Sequence, residues 1–115
     1  MNIEGNQQRV TIFIGESDRY GHKPLATEIT QRAQSAGLAG VTVLRGIEGF
    51  GASNHLHTNR ILSLSADLPI VIVIVDAEER ISPFLADIHD LITEGLVIVD
   101  EVRVIKYVGR PPDEP

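Results

Sequence analysis

Hydrophobic residues recur at regular intervals along most of the chain, and these intervals predict its strands and helices. In residues 9–15 aliphatic side chains alternate with others, which is the period of a half-buried strand. Pro24 opens a segment in which Leu25, Ile29 and Ala33 recur every fourth residue, as in an amphipathic helix. The chain is therefore predicted to start with a strand followed by a helix.

Two further strands are predicted in the middle of the chain. Residues 40–48 place Val43 and Ile47 on one face and end in glycines. Residues 68–75 are apolar on both faces and rich in β-branched side chains, as expected of a central strand covered on both sides. The stretch between them, 50–67, is long for a connection in a compact domain, and such loops are usually functional or disordered.

The last third of the chain predicts a second helix and an extended segment. The helix begins near Asp76, and Gly95 marks its end. Residues 96–99 and 102–108 are predicted to be extended, with residues 100–101 breaking the alternation as a bulge or turn would.

Taken together, these elements predict an α+β fold. The order is that of a ferredoxin-like βαββαβ domain, with an antiparallel sheet and two helices on one face. One domain is expected over residues 1–108, and the proline-rich and acidic segment 109–115 is expected to be a disordered tail. The uncovered face of strand 68–75 would expose apolar side chains, which favours a homo-oligomer.

Composition and charge narrow the classes of function. The chain has 115 residues, of which 43% are hydrophobic, so it is long enough for one core. Because 16 acidic residues outnumber 10 basic ones, the net charge of −6 disfavours nucleic acid as a partner. The sequence contains no cysteine and shows no secretory signal or membrane-spanning stretch, so a cytoplasmic protein is expected.

Three segments resemble a functionally uncharacterised family of bacterial and archaeal PII-like proteins. They are GESDRYGHKPL (15–25), LRGIEGFGAS (44–53) and ADLPIVIVIVD (66–76). There is also a more distant similarity to PII itself, in residues 40–51 followed by residues 67–75. This similarity implies that residues 50–67 are the equivalent of the PII signalling loop. The resemblance implies a regulatory homotrimer that binds a small effector in clefts between subunits and reports it to a partner, such as a membrane transporter or channel or an enzyme.

Departures from the PII pattern change the expected ligand. The stretch matching the phosphate-binding loop of PII is 93–96, Thr-Glu-Gly-Leu, without the lysine, which argues against triphosphate binding of the PII kind. Ala52 and Ser53 stand where PII usually has Arg-Gln, which argues against 2-oxoglutarate sensing. The expected cofactor is therefore a smaller or less charged adenine nucleotide.

The predicted ligand-binding residues lie in two loops and at two strand ends. The loop 16–23 carries five ionisable side chains, and its cations could pair with phosphate or carboxylate beside a helix N-terminus. The alternative is a solvated turn in which Ser17 or Asp18 bonds local backbone. The full predicted set is Glu16, Ser17, Arg19, Lys23, Arg45, Gly49, Phe50, Gly51 and Arg103.

Two other classes of function compete with a regulatory protein. A trimeric metal-binding protein would use His55 and His57, whose spacing points both side chains to one side of an extended segment. An enzyme would need a nucleophile beside a base, and although Ser53 and His55 are close in sequence, no strand-to-helix elbow surrounds them. We therefore expect a protein without catalytic activity.

Overall fold

The computed structural model describes residues 2–51 and 67–109. The strands are β1 (Gly5–Gly15), β2 (Arg19–Tyr20), β3 (Lys23–Pro24), β4 (Thr42–Arg45), β5 (Pro69–Asp76) and β6 (Leu96–Val104). Four of them form an antiparallel sheet in the order β4-β5-β1-β6, and the short strands β2 and β3 form a separate hairpin. The helices are α1 (Leu25–Ser35) and α2 (Glu78–Ile88), and a 3-10 turn at His89–Leu91 follows α2.

The hydrophobic core lies between the two helices and one face of the sheet. Ile70, Ile72 and Ile74 of β5 are buried, while the residues between them are only half-buried. The same alternation in β1 buries Val10 and Ile12. The helix residues that complete the core are Leu25, Ile29, Ala33, Ile81, Phe84 and Ile88. Each fully buried aliphatic side chain contributes about 1.5–3 kcal/mol, so this layer accounts for much of the stability. The predicted α+β, ferredoxin-like fold is confirmed.

The opposite face of the sheet, called here the open face, is largely apolar. Register pairing places Leu44, Val71, Phe13 and Leu96 in one row across the four strands. Leu44 and Leu96 are each 53% exposed, as expected for a face that the helices do not cover. The open face therefore has the character of a surface buried in an assembly.

The predicted break at residues 100–101 is wrong. β6 runs without interruption, with Asp100 opposite Arg9 and Glu101 opposite Gln8. Arg9 donates from Nη2 to Asp100 Oδ2 at 2.6 Å and from Nε to Oδ1 at 3.1 Å. This cross-strand ion pair keeps a polar residue in register, and β1 accordingly begins at Gly5 rather than at residue 9.

The connection between α2 and β6 depends on a glycine. The helix ends at Ile88, earlier than predicted, and Gly95 immediately precedes β6. Gly95 has φ +148°, and a Cβ atom there would lie 2.5 Å from the carbonyl oxygen of Phe13. Both the backbone conformation and the close approach to β1 require glycine.

A buried carboxylate joins the two halves of the fold. Asp76, at the end of β5, is 0% exposed. Its Oδ2 accepts a hydrogen bond from Ala39 N at 2.8 Å, and its Oδ1 accepts from Ala77 N at 2.6 Å and Arg80 Nε at 2.7 Å. The side chain thereby fixes the α1–β4 connection against the start of α2.

The expected tail falls mostly on residues that lack a structural description. It begins at Gly109, and residues 110–115 lie outside the described part of the chain. Within the described ranges, every helix is too short or too polar to cross a membrane.

Candidate ligand site at one end of the sheet

Three chain segments meet where β1 and β4 end and β5 begins. Because β5 runs antiparallel to both neighbours, its first residues lie beside the last residues of β1 and β4. We call this group of residues 15–18, 45–51 and 67–69 the junction. It includes both residues that flank the segment 52–66, which lies outside the described residues.

Backbone hydrogen bonds hold the first and third segments of the junction together. Glu16 N donates to Leu68 O at 2.8 Å. Ser17 N donates to the side chain of Asp67, at 3.0 Å from Oδ1. A Cβ atom on Gly15 would lie 2.6 Å from the same oxygen, so a side chain there would require the Asp67 carboxylate to shift from its position beside Ser17.

The second segment is held in the same way. Gly46 N donates to Pro69 O at 2.7 Å. A Cβ atom on Gly46 would lie 2.7 Å from Pro69 Cγ, and one on Gly49 would lie 3.3 Å from it. The glycines that leave β4 therefore pack their backbone directly on the proline that opens β5.

An ion pair links the first and second segments. Arg45 Nε lies 3.2 Å from Glu16 Oε2, and the Arg45 side chain is 56% exposed. The other carboxylate oxygen, Glu16 Oε1, is buried and has no hydrogen-bond partner within the described residues. A buried acceptor without a partner is costly, so this oxygen is suited to accept a hydrogen bond from a ligand hydroxyl or amine.

The turn after β1 shows the local bonding that the alternative interpretation of loop 16–23 predicted. Asp18 Oδ2 accepts a hydrogen bond from Gly15 N at 2.8 Å. The Asp18 carbonyl accepts another from Leu25 N at 2.9 Å, at the start of α1. The carboxylate and the carbonyl of Asp18 therefore stabilise the turn itself.

Lys23 is bound to α1 rather than to the junction. Its Nζ lies 2.9 Å from Glu28 Oε1 and donates to Gln31 Oε1 at 2.8 Å. Hydrogen bonds from Arg32 and then from Lys23 hold the pKa of the Glu28 carboxyl below its ordinary value. Arg19, on β2 of the same hairpin, is exposed.

Sequence reasoning missed the network that anchors this hairpin. Arg32 Nε lies 2.7 Å from Glu28 Oε2, and its Nη1 lies 3.3 Å from Asp87 Oδ1 on α2. The guanidinium carbon also lies 5.3 Å from the ring centroid of Tyr20. The spacing of Glu28 and Arg32, four residues apart on a helix, was the signal that could have revealed it.

The remaining predicted ligand-binding residues divide between the two ends of the sheet. Gly49, Phe50 and Gly51 lie in the junction, where Phe50 is 79% exposed. Arg103 lies opposite Asn6 of β1, whereas Arg45 lies at the level of Ile14 of the same strand. Eight residues separate these two levels, a distance of roughly 26 Å at the rise of a strand. Within one chain, Arg103 and Arg45 do not share a site.

The metal alternative concerns residues without a structural description. His55 and His57 lie in the segment 52–66. In the two described ranges, no three histidine, aspartate or glutamate side chains are placed so that they could hold a metal ion. The use of the two histidines stays a prediction.

Comparison with known proteins gives both a family and a fold. Residues 7–104 match the family DUF190, described as "Uncharacterized ACR, COG1993". A UPF0166 protein of Aquifex aeolicus is 35% identical over 94 residues, which cover 82% of this chain and 89% of the relative. A UPF0166 protein of Methanocaldococcus jannaschii is 31% identical over 96 residues, covering 83% and 88%.

Solved structures of PII-like proteins superpose over nearly the whole chain. CPII from Thiomonas intermedia K12, bound to ADP, AMP and acetate, matches with a TM-score of 0.61 at 20% identity, covering 96% of this chain and 95% of CPII. A putative PII-like signalling protein from Thermus thermophilus matches with a TM-score of 0.61 at 16% identity, covering 91% and 94%. The chain therefore belongs to the DUF190 family, represented among its relatives by UPF0166 proteins, and has the ferredoxin-like fold of the PII-like proteins.

Proposed function

We propose that this protein is a regulatory protein of the PII-like type. Three copies bind an adenine nucleotide in the clefts between them, and residues 50–67 report occupancy to a partner protein. The partner is a transporter, a channel or an enzyme whose activity the protein controls. The protein itself leaves the nucleotide unchanged.

One observation carries the proposal: both ends of the segment 52–66 emerge from the junction. Asp67 is held there by its contact with Ser17, and the chain that leads to Gly51 is held by the contacts of Gly46 and Gly49 with Pro69. A ligand bound at the junction touches the base of this segment and changes its conformational freedom. Such a change alters the access of a partner without any chemical step.

The charges of the junction favour a ligand with few phosphates. The junction contains four acidic residues, Glu16, Asp18, Glu48 and Asp67, and one basic residue, Arg45. A single guanidinium pairs with one or two phosphate groups, while the Glu16 oxygen that has no partner among the described residues suits a hydroxyl or amino group. CPII, crystallised with ADP and AMP, supports this choice of nucleotide.

Titration calorimetry with AMP, ADP and ATP tests the proposed ligand. We expect AMP or ADP to bind more tightly than ATP. Arg45→Ala should weaken binding about tenfold to a hundredfold, because it removes a charge-assisted hydrogen bond. Lys106→Ala removes an exposed positive charge outside the junction and should leave the affinity unchanged. Absence of heat with all three nucleotides, at a protein concentration of about 0.1 mM, contradicts the proposal.

Hydrogen exchange tests the proposed reporting segment. Amides of residues 50–67 should gain protection when the best nucleotide is added. Protection confined to other parts of the chain would contradict the reporting role. Chromatography of the nucleotide after prolonged incubation should return it intact, since we propose binding without turnover.

A further inference from the structure

Glu16 is the acidic residue of the junction that contacts its one basic residue. Glu16 Oε2 lies 3.2 Å from Arg45 Nε, and Glu16 N donates to Leu68 O at 2.8 Å, so both the side chain and the backbone of Glu16 are fixed. A guanidinium carries five N–H donors, and the contact at Nε leaves those of the two terminal nitrogens for a phosphate group. The pair therefore orients Arg45 for a ligand and at the same time cancels much of its charge.

The carboxylate of Glu16 differs from the two other carboxylates that are fixed in the junction. Asp18 Oδ2 and Asp67 Oδ1 each accept a backbone hydrogen bond within the junction, at 2.8 Å and 3.0 Å. Such donors offset part of a negative charge. Glu16 Oε1 is buried and has no donor among the described residues. The charge of Glu16 is therefore balanced chiefly by Arg45.

The charge of this ion pair limits how much negative charge a ligand can bring to the junction. The first phosphate group of a nucleotide pairs with the remaining donors of Arg45. Each further phosphate group places more negative charge near Glu16, and like charges repel more strongly where water screens them poorly. Because the Glu16 side chain is 36% exposed, water screens its charge only in part.

We propose that Glu16 is a specificity-determining residue, whose charge makes the site reject nucleotides with three phosphate groups. The carboxylate leaves Arg45 enough positive charge for one or two phosphate groups, and it repels a longer chain of them. This inference rests on the proposed function and assigns its nucleotide preference to one residue.

Glu16→Gln tests the inference, because it removes the charge and keeps both the size of the side chain and an oxygen that accepts hydrogen bonds. Titration calorimetry compares AMP with ATP, in a chelator and without Mg²⁺, since a divalent cation would neutralise the phosphate groups. We expect the affinity for AMP to change less than about threefold. The affinity for ATP should rise about tenfold, which corresponds to about 1.4 kcal/mol of binding free energy.

Ionic strength provides a second readout that a merely structural role of Glu16 would not change. The difference between wild type and Glu16→Gln in the ratio of AMP to ATP affinity should shrink when NaCl is raised from about 0.05 M to about 0.5 M, because salt screens charges that are partly exposed.

Two variants with the same change of charge are the matched controls. Glu48→Gln lies in the junction, but Glu48 is exposed and Arg45 is paired with Glu16. Its affinity ratio should change less than about threefold, because solvent screens an exposed charge. Glu79→Gln lies at the start of α2, at the other end of β5, and should leave both affinities unchanged. Thermal unfolding establishes that all three variants are folded.

The possible failures separate this inference from the proposed function. A Glu16→Gln protein with the wild-type affinity ratio overturns the inference and leaves the proposed function standing. The same holds if Glu48→Gln shifts the ratio equally, since the acidic surroundings as a whole would then set the preference. Equal loss of AMP and ATP binding in Glu16→Gln would show that Glu16 builds the site without selecting the ligand. Wild-type protein that binds none of the nucleotides overturns both.

Discussion

Glu28 connects three elements through its carboxylate. It pairs with Lys23 of the hairpin and with Arg32 of its own helix, and Arg32 continues to Asp87 of α2. Only 9% of the surface of Glu28 is exposed, so its charge is stabilised mainly by these partners. Its protonation state should therefore affect the stability of the fold.

We predict that the contribution of Glu28 to stability depends on pH. Its pKa in the folded protein lies below the ordinary value of 4.5, chiefly because Arg32 and Lys23 donate hydrogen bonds to it. The contribution is therefore complete above the ordinary value and is lost as pH falls through the lower, folded-state pKa. Urea unfolding should show Glu28→Gln to be less stable than wild type at pH 7, with a smaller difference at pH 3. An equal difference at both pH values would contradict this role.

Asp76 is predicted to be more important for stability than any surface acid. Asp76→Ala removes three hydrogen bonds and leaves Arg80 without its buried partner, which should cost about 3–5 kcal/mol of unfolding free energy. Asp90→Ala is the control, since the Asp90 side chain is fully exposed and should change stability by less than about 0.5 kcal/mol. Denaturant unfolding measures the loss of unfolding free energy in both variants. An equal loss in the two variants would contradict the predicted role of Asp76.

At the scale of an element, the helix α2 contains a residue that lowers its stability. Pro83 is the sixth residue of the helix, where it lacks the N–H that would bond to the preceding turn. The side chain is exposed, so it contributes no core packing.

Pro83→Ala should therefore stabilise the protein. The gain is expected to be at most about 3 kcal/mol, reduced by the greater flexibility of the unfolded chain. Thermal unfolding checks the direction, and Ser82→Ala, one position earlier and also exposed, provides the comparison. A lower melting temperature for Pro83→Ala would show that the proline fits a local distortion of the helix.

Periodic burial explains which elements the sequence could predict. The helix at Leu25 was predicted because its buried side chains follow one period, and the strand beginning at residue 69 was predicted because its run of residues is apolar and β-branched. The continuous β6 was not, because Asp100 is kept in the strand by Arg9, which lies 91 residues away in sequence. Local patterns carry no information on such a partner.

The candidate site was predictable only in part for the same reason. Its glycines and Arg45 could be selected from the sequence, but the contact of Arg45 with Glu16 depends on the sheet order. The ion pair of Lys23 with Glu28 was not predicted either, because it depends on the β2–β3 hairpin, which places the lysine against α1.

At the scale of the whole molecule, the open face should hold the assembly together. Val73→Asp places a carboxylate in the middle of this face, and burying an unpaired charge costs several kcal/mol. Light scattering should show wild type at three times the 12.6 kDa monomer mass and the variant at the monomer mass.

Gln34→Asp is the matched control for the open face. It introduces the same side chain on the exposed surface of α1 and should leave the assembly intact. Circular dichroism establishes that both variants stay folded. A Val73→Asp protein that still assembles would place the contact surface elsewhere.

Gly95 has a consequence for how such proteins can diverge. Any side chain at this position meets a positive φ and the Phe13 carbonyl at once, so no single neighbouring mutation relieves both conflicts. Gly40 has an open surrounding and no such backbone constraint. In a saturation library selected for folded protein, Gly40 should be replaced by many residue types while Gly95 persists, so the point where the last strand begins should tolerate few substitutions.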